Sequence, residues 1–285
     1  MVKLDNFAIF ITSHKRAESL ISYNTLNTCG YTNKIYVVVD NEDPQVDLYK
    51  EKYDNVVVFN KQEYMNKVDT ICYPKISSAV VFARAFIEDY VKTTDLKSFL
   101  VMDDDITRFV HRYVDEEGKL RSKLVKDLDG VLNVYIEFLL ENNINTLSFG
   151  TGASYIGGAD CLKKDMKRRC FNTFIRNTSR ELVWLSNMNE DYISSVDSGM
   201  RGELFFELAS VGVETKEVGK GTQQGGMIEI YKQMNDYKRS MFSVVSNPSC
   251  FVVQQKNDKY VIKCNWNKAV PKIISDRKEF NYGKR

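Results

Sequence analysis

The feature that most constrains this chain is a short apolar run that ends abruptly in charge. Leu100-Val101-Met102 passes without a break into Asp103-Asp104-Asp105. An apolar stretch of this length reads as a buried strand, Ser98 to Met102, with the aspartates at its C-terminal end. In open α/β sheets that edge binds ligands, because the loops there converge on a crevice. Alternate residues of an extended stretch point the same way, so Asp103 and Asp105 can face one ion, with Asp104 beside a bound ligand. A hard cation such as Mg²⁺ or Mn²⁺ commonly keeps one or two protein carboxylates while phosphates and water complete its shell. The pair therefore suits a metal that carries a diphosphate. A solvated acidic turn is the alternative, and the apolar strand leading straight into the motif argues against it.

Upstream, Phe7 to Ile11 reads as a buried strand, followed by a polar loop and a helix to about Asn27 that Cys29-Gly30 ends. Lys34 to Val39 and Val56 to Phe59 are further strands, and Ser77 to Val91 carries apolar residues at helical spacing. Alternating strands and helices imply an α/β fold with a mostly parallel central sheet flanked by helices. Beyond the acidic cluster the pattern predicts a helix over Asp127 to Glu141 and a strand over Thr146 to Phe149. A strand around Phe171 to Ile175 follows, then a helix from Asn189 to about Phe206. Strand-like stretches lie at Phe242 to Val245 and Ser249 to Gln254. No linker or repeat interrupts the 285 residues, enough for a sizeable core. We read residues 1–285 as a single domain, with 1–110 forming a nucleotide-binding half and 111–285 a half for the second substrate with a basic C-terminal tail.

Charge excludes little, since 40 Lys and Arg stand against 38 Asp and Glu, so any polyanion affinity must come from local patches. No segment approaches the roughly 20 apolar residues of a membrane span, and the N-terminus lacks a signal-peptide core. The six cysteines form no CxxC pair, which points to reduced thiols. The expectation is a cytoplasmic protein with no membrane partner.

Other constellations suggest chemistry. Asn189-Glu190-Asp191 opens a helix, and a carboxylate there could take an acceptor proton, Asp191 first and Glu190 second. An N-cap followed by acids that complement the helix dipole explains the same letters. Thr12, His14 and Arg16 follow the first strand, Asp40 ends the second, and Arg84 lies on the helix before the cluster. A nucleotide across this edge could use Asp40 for base or ribose and Arg84 for its diphosphate. Gly219 to Gly226 suits either a loop that orders over a donor or a plain surface turn. Lys163, Lys164, Lys167, Arg168 and Arg169, with Phe171, Phe174 and Arg176 close behind, form a candidate nucleic-acid surface. His111 is expected to be structural.

Taken together, Phe7 to Ile11 with His14 and Arg16, Gly30-Tyr31 with Ile35 to Asp40, Ala83-Arg84, Phe99 to Asp105, Asn189-Glu190-Asp191, Arg201-Gly202, Gly225-Gly226-Met227, Asn247 to Cys250 and Trp266 to Ser275 resemble the TET-associated glycosyltransferase family. The resemblance implies a GT-A-like fold, a UDP-sugar donor and a divalent metal. It also implies an acceptor hydroxyl on a hydroxymethylated pyrimidine in DNA, 5-hydroxymethylcytosine first, in a largely phage-encoded group that would work in the host cytoplasm. The family's acidic motif falls on Asp103 to Asp105 and its Glu-Asp pair on Glu190 and Asp191. Many GT-A enzymes supply a late His to the metal or diphosphate; this chain has no His after residue 111, which leaves Lys268 or Lys272 for the diphosphate. Other acceptors (protein, glycan or small molecule), a silent DNA-binding module and a nucleotidyltransferase remain as alternatives.

Overall fold

The computed structural model describes residues 4–70, 80–163, 170–216 and 234–269. The chain opens with β1 (Phe7–Thr12), α1 (Ile21–Thr28), β2 (Lys34–Asp40), α2 (Val46–Lys52), β3 (Val56–Phe59), α3 (Lys61–Lys67), α4 (Val81–Val91) and β4 (Ser98–Asp103). β5 (Ile106–Val114) and β6 (Leu120–Leu124) form a hairpin, followed by α5 (Leu128–Glu141), β7 (Thr146–Gly150), β8 (Thr173–Asn177), α6 (Glu190–Met200) and β9 (Phe205–Thr215). After these come α7 (Asp236–Ser246), β10 (Phe251–Lys256), β11 (Lys259–Cys264) and the short α8 (Trp266–Ala269).

Among the described residues one nine-stranded sheet runs β3-β2-β1-β4-β8-β7-β9-β5-β6. The first four strands are parallel, and only β8 and β5 run against the common direction. From β1 the chain steps outward to β2 and β3, then returns to lay β4 on the other side of β1. That reversal opens a crevice at the C-terminal ends of β1 and β4.

The strands here read as continuous apolar runs because both faces are covered. On one face Ile9, Ile11, Val37, Val39, Leu100 and Met102 join Leu132, Ile136 and Leu139 of α5. On the other, Ala8, Phe10, Val38, Phe99 and Val101 meet Phe82, Ile87 and Val91 of α4. Each fully buried Leu, Ile, Val or Phe contributes roughly 1.5–3 kcal/mol over exposure, so the period-two alternation secures the register of β1 and β4 on both sides. Phe10 stacks on Tyr36 at 4.8 Å and meets Phe99 edge-on.

The second half departs from expectation in three places. The helix expected to reach Phe206 stops at Met200, because Gly202 turns the chain at φ 92° and β9 begins at Phe205. Phe242 to Val245, expected as a strand, lies within α7; the Asn235 side chain caps that helix at Lys238 N, 2.9 Å away, and Phe242 points inward. The β5–β6 hairpin was not expected, and β10 pairs with β11 in a separate two-stranded sheet.

Candidate active site at the β1–β4 crevice

Thr12 and Asp103 are register partners at the ends of β1 and β4. Extended geometry stops at Asp103, since Asp104 and Asp105 form a two-residue turn into β5, so the strand alternation expected to turn Asp103 and Asp105 to one side ends before Asp105. The turn is pinned from α1. Ser22 Oγ donates to Asp103 O at 2.5 Å and accepts from Ile106 N at 2.9 Å, while Ser22 N donates to Asp104 O at 3.1 Å. One turn further along α1, Thr25 Oγ1 donates to Ile106 O at 2.8 Å. These two residues were not anticipated. Their only signal is polar side chains, spaced three apart, on the buried side of α1.

The three aspartates diverge. Asp103 Oδ1 accepts from Arg84 Nη2 at 3.2 Å, and Arg84 Nη1 donates to Glu190 Oε1 at 2.8 Å. Arg84 is 3 % exposed and lies over Phe174 and Trp184, 5.6 and 5.3 Å from the ring centres. Asp104 turns the other way, accepting from Ser13 Oγ at 2.7 Å and pairing with Arg16, so it braces the loop after β1. Asp105 is half-buried, and its carbonyl anchors Lys216 N at the end of β9.

Burial pushes the Asp103 carboxyl up to about 7; Arg84 opposes the shift, while Asp105, Asp104 and Glu190 add to it. Burial also raises Asp104 and Asp105. Arg16 opposes both shifts, and the Asp104 charge lifts Asp105 further. The cluster thus holds more negative charge than Arg84 and Arg16 comfortably neutralise. Among the described residues no three His, Cys, Asp or Glu side chains form a ready metal cage.

At the head of α6, Asn189 takes a left-handed φ of 55°, a conformation Asn tolerates better than most residues, and its side chain donates to Arg239 O. Glu190 is buried against Arg84, whereas Asp191 is half-exposed, accepts from Tyr192 N at 2.9 Å, and acts electrostatically on Arg84. The two acids therefore sit over the same guanidinium in different surroundings.

His14 Nδ1 lies 2.9 Å from Asp40 Oδ2, and Lys61 Nζ lies 3.5 Å from Asp40 Oδ1. Burial raises the Asp40 carboxyl, but the His14 hydrogen bond and the charges of Lys61 and His14 outweigh it, leaving Asp40 below its ordinary value. Thr12 is buried, its hydroxyl 3.5 Å from Met102 O.

Some expected residues lie elsewhere. Arg176 cannot meet nucleic acid: it is fully buried, binds Glu88 at 2.7 and 3.1 Å, and donates to the Asn145 and Arg180 carbonyls. Its neighbours in sequence suggested a surface, but β8 lies between β4 and β7 and is buried along its whole length, and the five donors of Arg176 find protein acceptors there. Lys268 is exposed near Ala269, whose carbonyl lies against Gly199, where an added Cβ would stand only 2.1 Å away. That contact is about 13 Å along α6 from Glu190 at 1.5 Å per residue, so the described backbone does not bring Lys268 to the acids. His111, expected to be structural, is exposed on β5. Lys164, Lys167, Arg168, Arg169, Lys272 and the loop from Gly219 to Gly226 lie outside the described residues, as does the side chain of Lys163.

A family model for the TET-associated glycosyltransferases matches residues 7–226, most of the chain, from β1 through β9. The chain belongs to the TET-associated glycosyltransferase family. The protein is thus a glycosyltransferase, and its acidic cluster, Arg84 and the Glu190-Asp191 pair all lie within the matched span. No curated protein is significantly similar to this glycosyltransferase in sequence. Among solved structures it resembles glucosyl-3-phosphoglycerate synthase from Mycobacterium tuberculosis, in complex with Mn²⁺, UDP-glucose and phosphoglyceric acid, at 9 % identity and TM-score 0.46 over 90 % of this chain and 85 % of that one. It also resembles the mannosyltransferase PcManGT from Pyrobaculum calidifontis, in complex with GDP-mannose and Mn²⁺, at 12 % identity and TM-score 0.46 over 76 % of this chain and 58 % of that one. The assignment rests on the family match. No described helix is long and apolar enough to cross a membrane.

Proposed function

We propose that this glycosyltransferase moves a sugar from a UDP-sugar onto the hydroxymethyl group of 5-hydroxymethylcytosine in DNA, phage DNA in a host cytoplasm, with a divalent metal held by Asp103 and Asp105. The observation that carries this reading is the under-neutralised acidic cluster, facing the Glu190-Asp191 pair across one buried arginine. The family's association with TET chemistry supports the acceptor.

The residues present fit a Mg²⁺ or Mn²⁺ ion. Both donors are hard carboxylates, both are pushed toward protonation by burial and like charge, and Arg84 engages only one oxygen of Asp103. A metal held there would neutralise the diphosphate as it leaves. Residues 1–110 would hold the donor. Arg16 and His14 rim the crevice after β1, with Asp40 behind His14; Asp104 braces the loop they stand on, and Thr12 ties the end of β1 to β4. Lys268 and Lys272, read from sequence as contacts for the diphosphate, belong by sequence to residues 111–285, the half assigned to the acceptor.

Asp191 receives the proton. The acceptor oxygen forms a bond to the anomeric carbon, the bond from that carbon to the diphosphate oxygen breaks, and the nucleoside diphosphate departs with the electron pair. Such a step inverts the anomeric centre. Glu190 is not the residue that takes the proton, because its carboxylate is buried against Arg84.

Incubation with UDP-sugars and Mn²⁺ or Mg²⁺ on duplex DNA carrying hydroxymethylcytosine, hydroxymethyluracil or neither, read by nucleoside mass spectrometry, tests the proposal. A metal-dependent hexose or pentose adduct on hydroxymethylcytosine is expected. Transfer to a protein, glycan or small molecule with DNA inert would overturn the acceptor, and release of pyrophosphate would overturn the reaction class.

A further inference from the structure

The last described elements form a unit of their own. α7, β10, β11 and α8 lie beyond residue 226, where the family match ends, and the β10–β11 pair is separate from the nine-stranded sheet. The unit is built onto the head of α6. Asn189 donates to Arg239 O at 2.8 Å, Phe242 of α7 packs with Met188 and Ile193, and the Tyr192 ring lies 6.0 Å from Trp266 and 6.1 Å from Phe251. Asp191 therefore sits between two residues of α6 and its cap that hold this unit in place.

Charge is segregated into it. Residues 234–269 hold six Lys and Arg against two Asp and no Glu, a net +4 in a chain whose total is +2, so the remainder is acidic on balance. Asp236 is paired with Arg239, and Asp258 sits in the β10–β11 turn. Lys238, Lys256, Lys259, Lys263 and Lys268 are all exposed, and none of the five makes an ion pair. The β5–β6 hairpin differs, since its Arg112, Lys119 and Arg121 pair with Glu214, Glu117 and Asp115.

Three of the five lysines share one face. Register sets Val252 opposite Lys263, Gln254 opposite Val261 and Lys256 opposite Lys259, and residues two apart project to the same side. The other side carries the buried Phe251 against Tyr192. Lys256 and Lys259 are like charges set directly opposite one another, an arrangement that costs stability and that no acid among the described residues relieves.

We infer that this face of β10 and β11 binds the phosphate backbone of the acceptor duplex through Lys256, Lys259 and Lys263, and so holds the DNA beside the head of α6. The inference rests on the DNA acceptor proposed above. Basic side chains that neutralise phosphates release counterions, which supplies most of the sequence-independent affinity for duplex, and the Gln254 amide can donate to a phosphate oxygen as well. From Phe251, at Tyr192, to Lys256 the strand runs about 17 Å at roughly 3.3 Å per residue. That equals about five steps of 3.4 Å, so the lysines meet duplex flanking the reacting base. Lysines also guard open strand edges against pairing, a role that needs no anion.

The test is fluorescence anisotropy on a labelled duplex of about 20 base pairs containing hydroxymethylcytosine, without donor and across a salt series, comparing wild type with K256Q/K259Q/K263Q. Affinity should fall about tenfold or more in the variant, and the log–log salt slope should drop by about 0.9 per lost phosphate contact. The melting temperature should not fall, because all three residues are exposed and one like-charge opposition is removed. Wild type that binds no duplex would overturn the DNA acceptor and this surface with it. Equal affinity and slope in wild type and variant, with transfer to DNA intact, would overturn the surface alone; self-association of that variant would assign the lysines to edge protection. Weaker binding of UDP with duplex binding unaltered would assign them to the donor's diphosphate, and would likewise overturn the surface.

Discussion

Arg84 donates to Glu190 at 2.8 Å across 106 positions of sequence while its other terminal nitrogen reaches Asp103. A buried guanidinium therefore ties the Asp103 carboxylate to the head of α6, and with it the end of β4 to the element that carries Asp191. Removing one partner of such a network strands the others in a medium that penalises charge, at a cost of about 3–5 kcal/mol. Arg84→Met is expected to lose stability of that order by denaturant unfolding, and R84M/E190Q should regain a good part of it without regaining transfer. Equal stability in Arg84→Met and wild type would refute the strut.

Asp191 and Glu190 should separate cleanly. Asp191→Asn is expected to lower kcat by about 10²–10⁴-fold, the usual contribution of a positioned base, with donor binding kept. Glu190→Gln leaves Arg84 with one carboxylate and should act mainly through stability and metal affinity, read by calorimetric titration with Mn²⁺ alone.

The pH dependence of metal binding has a definite sign. The Asp103 carboxyl is raised to about 7 by burial and like charge, so below that pH a proton occupies the carboxylate proposed to hold the metal. Mn²⁺ affinity should climb as pH rises from 5 to 7, level off above, and release a proton in calorimetry run in buffers of different ionisation enthalpy. Folding is linked in the opposite sense. Between the ordinary carboxyl value and about 7 the unfolded chain holds fewer protons than the folded one, so this group alone lowers the stability of the metal-free protein as pH rises through that window. Mn²⁺ should accordingly raise the melting temperature more at pH 8 than at pH 5. A pH-independent increment would exclude Asp103 as a ligand.

Ser22→Ala probes the turn itself. It deletes the hydroxyl that bonds Asp103 O and Ile106 N, leaving both backbone groups unsatisfied where they are buried. A loss of about 1–3 kcal/mol is expected, with Mn²⁺ affinity reduced although no carboxylate has changed.

The first half of the fold was legible because its strands are buried on both faces and its helices carry one apolar side. The same burial made the acidic motif at the end of β4 stand out. Two kinds of information were hidden. Phe205 to Leu208 continues the apolar texture of α6, and only the left-handed turn at Gly202 separates helix from strand. β5 and β6 mix charge with Val, Tyr and Leu on exposed faces, so they carry no clean alternation. At the site, residue types pointed to the acids and to Arg84, but not to what Arg84 touches. A guanidinium reads alike whether it meets a diphosphate or, as here, two carboxylates and two rings. Arg176 misled for the same reason, being basic and close in sequence to a basic run while its β8 position faces the core.

The turn that carries the acids is two residues long and clamped by Ser22, whereas the tip of the ribbon that grows from it, around Asp115 to Lys119, touches nothing else in the described sheet. Insertions at the tip would leave the carboxylates where they are, and insertions at the root would not. Length and sequence can thus vary at one end of a hairpin while the acidic turn at its other end stays constant, and exchanging tips between relatives leaves the geometry at the root intact.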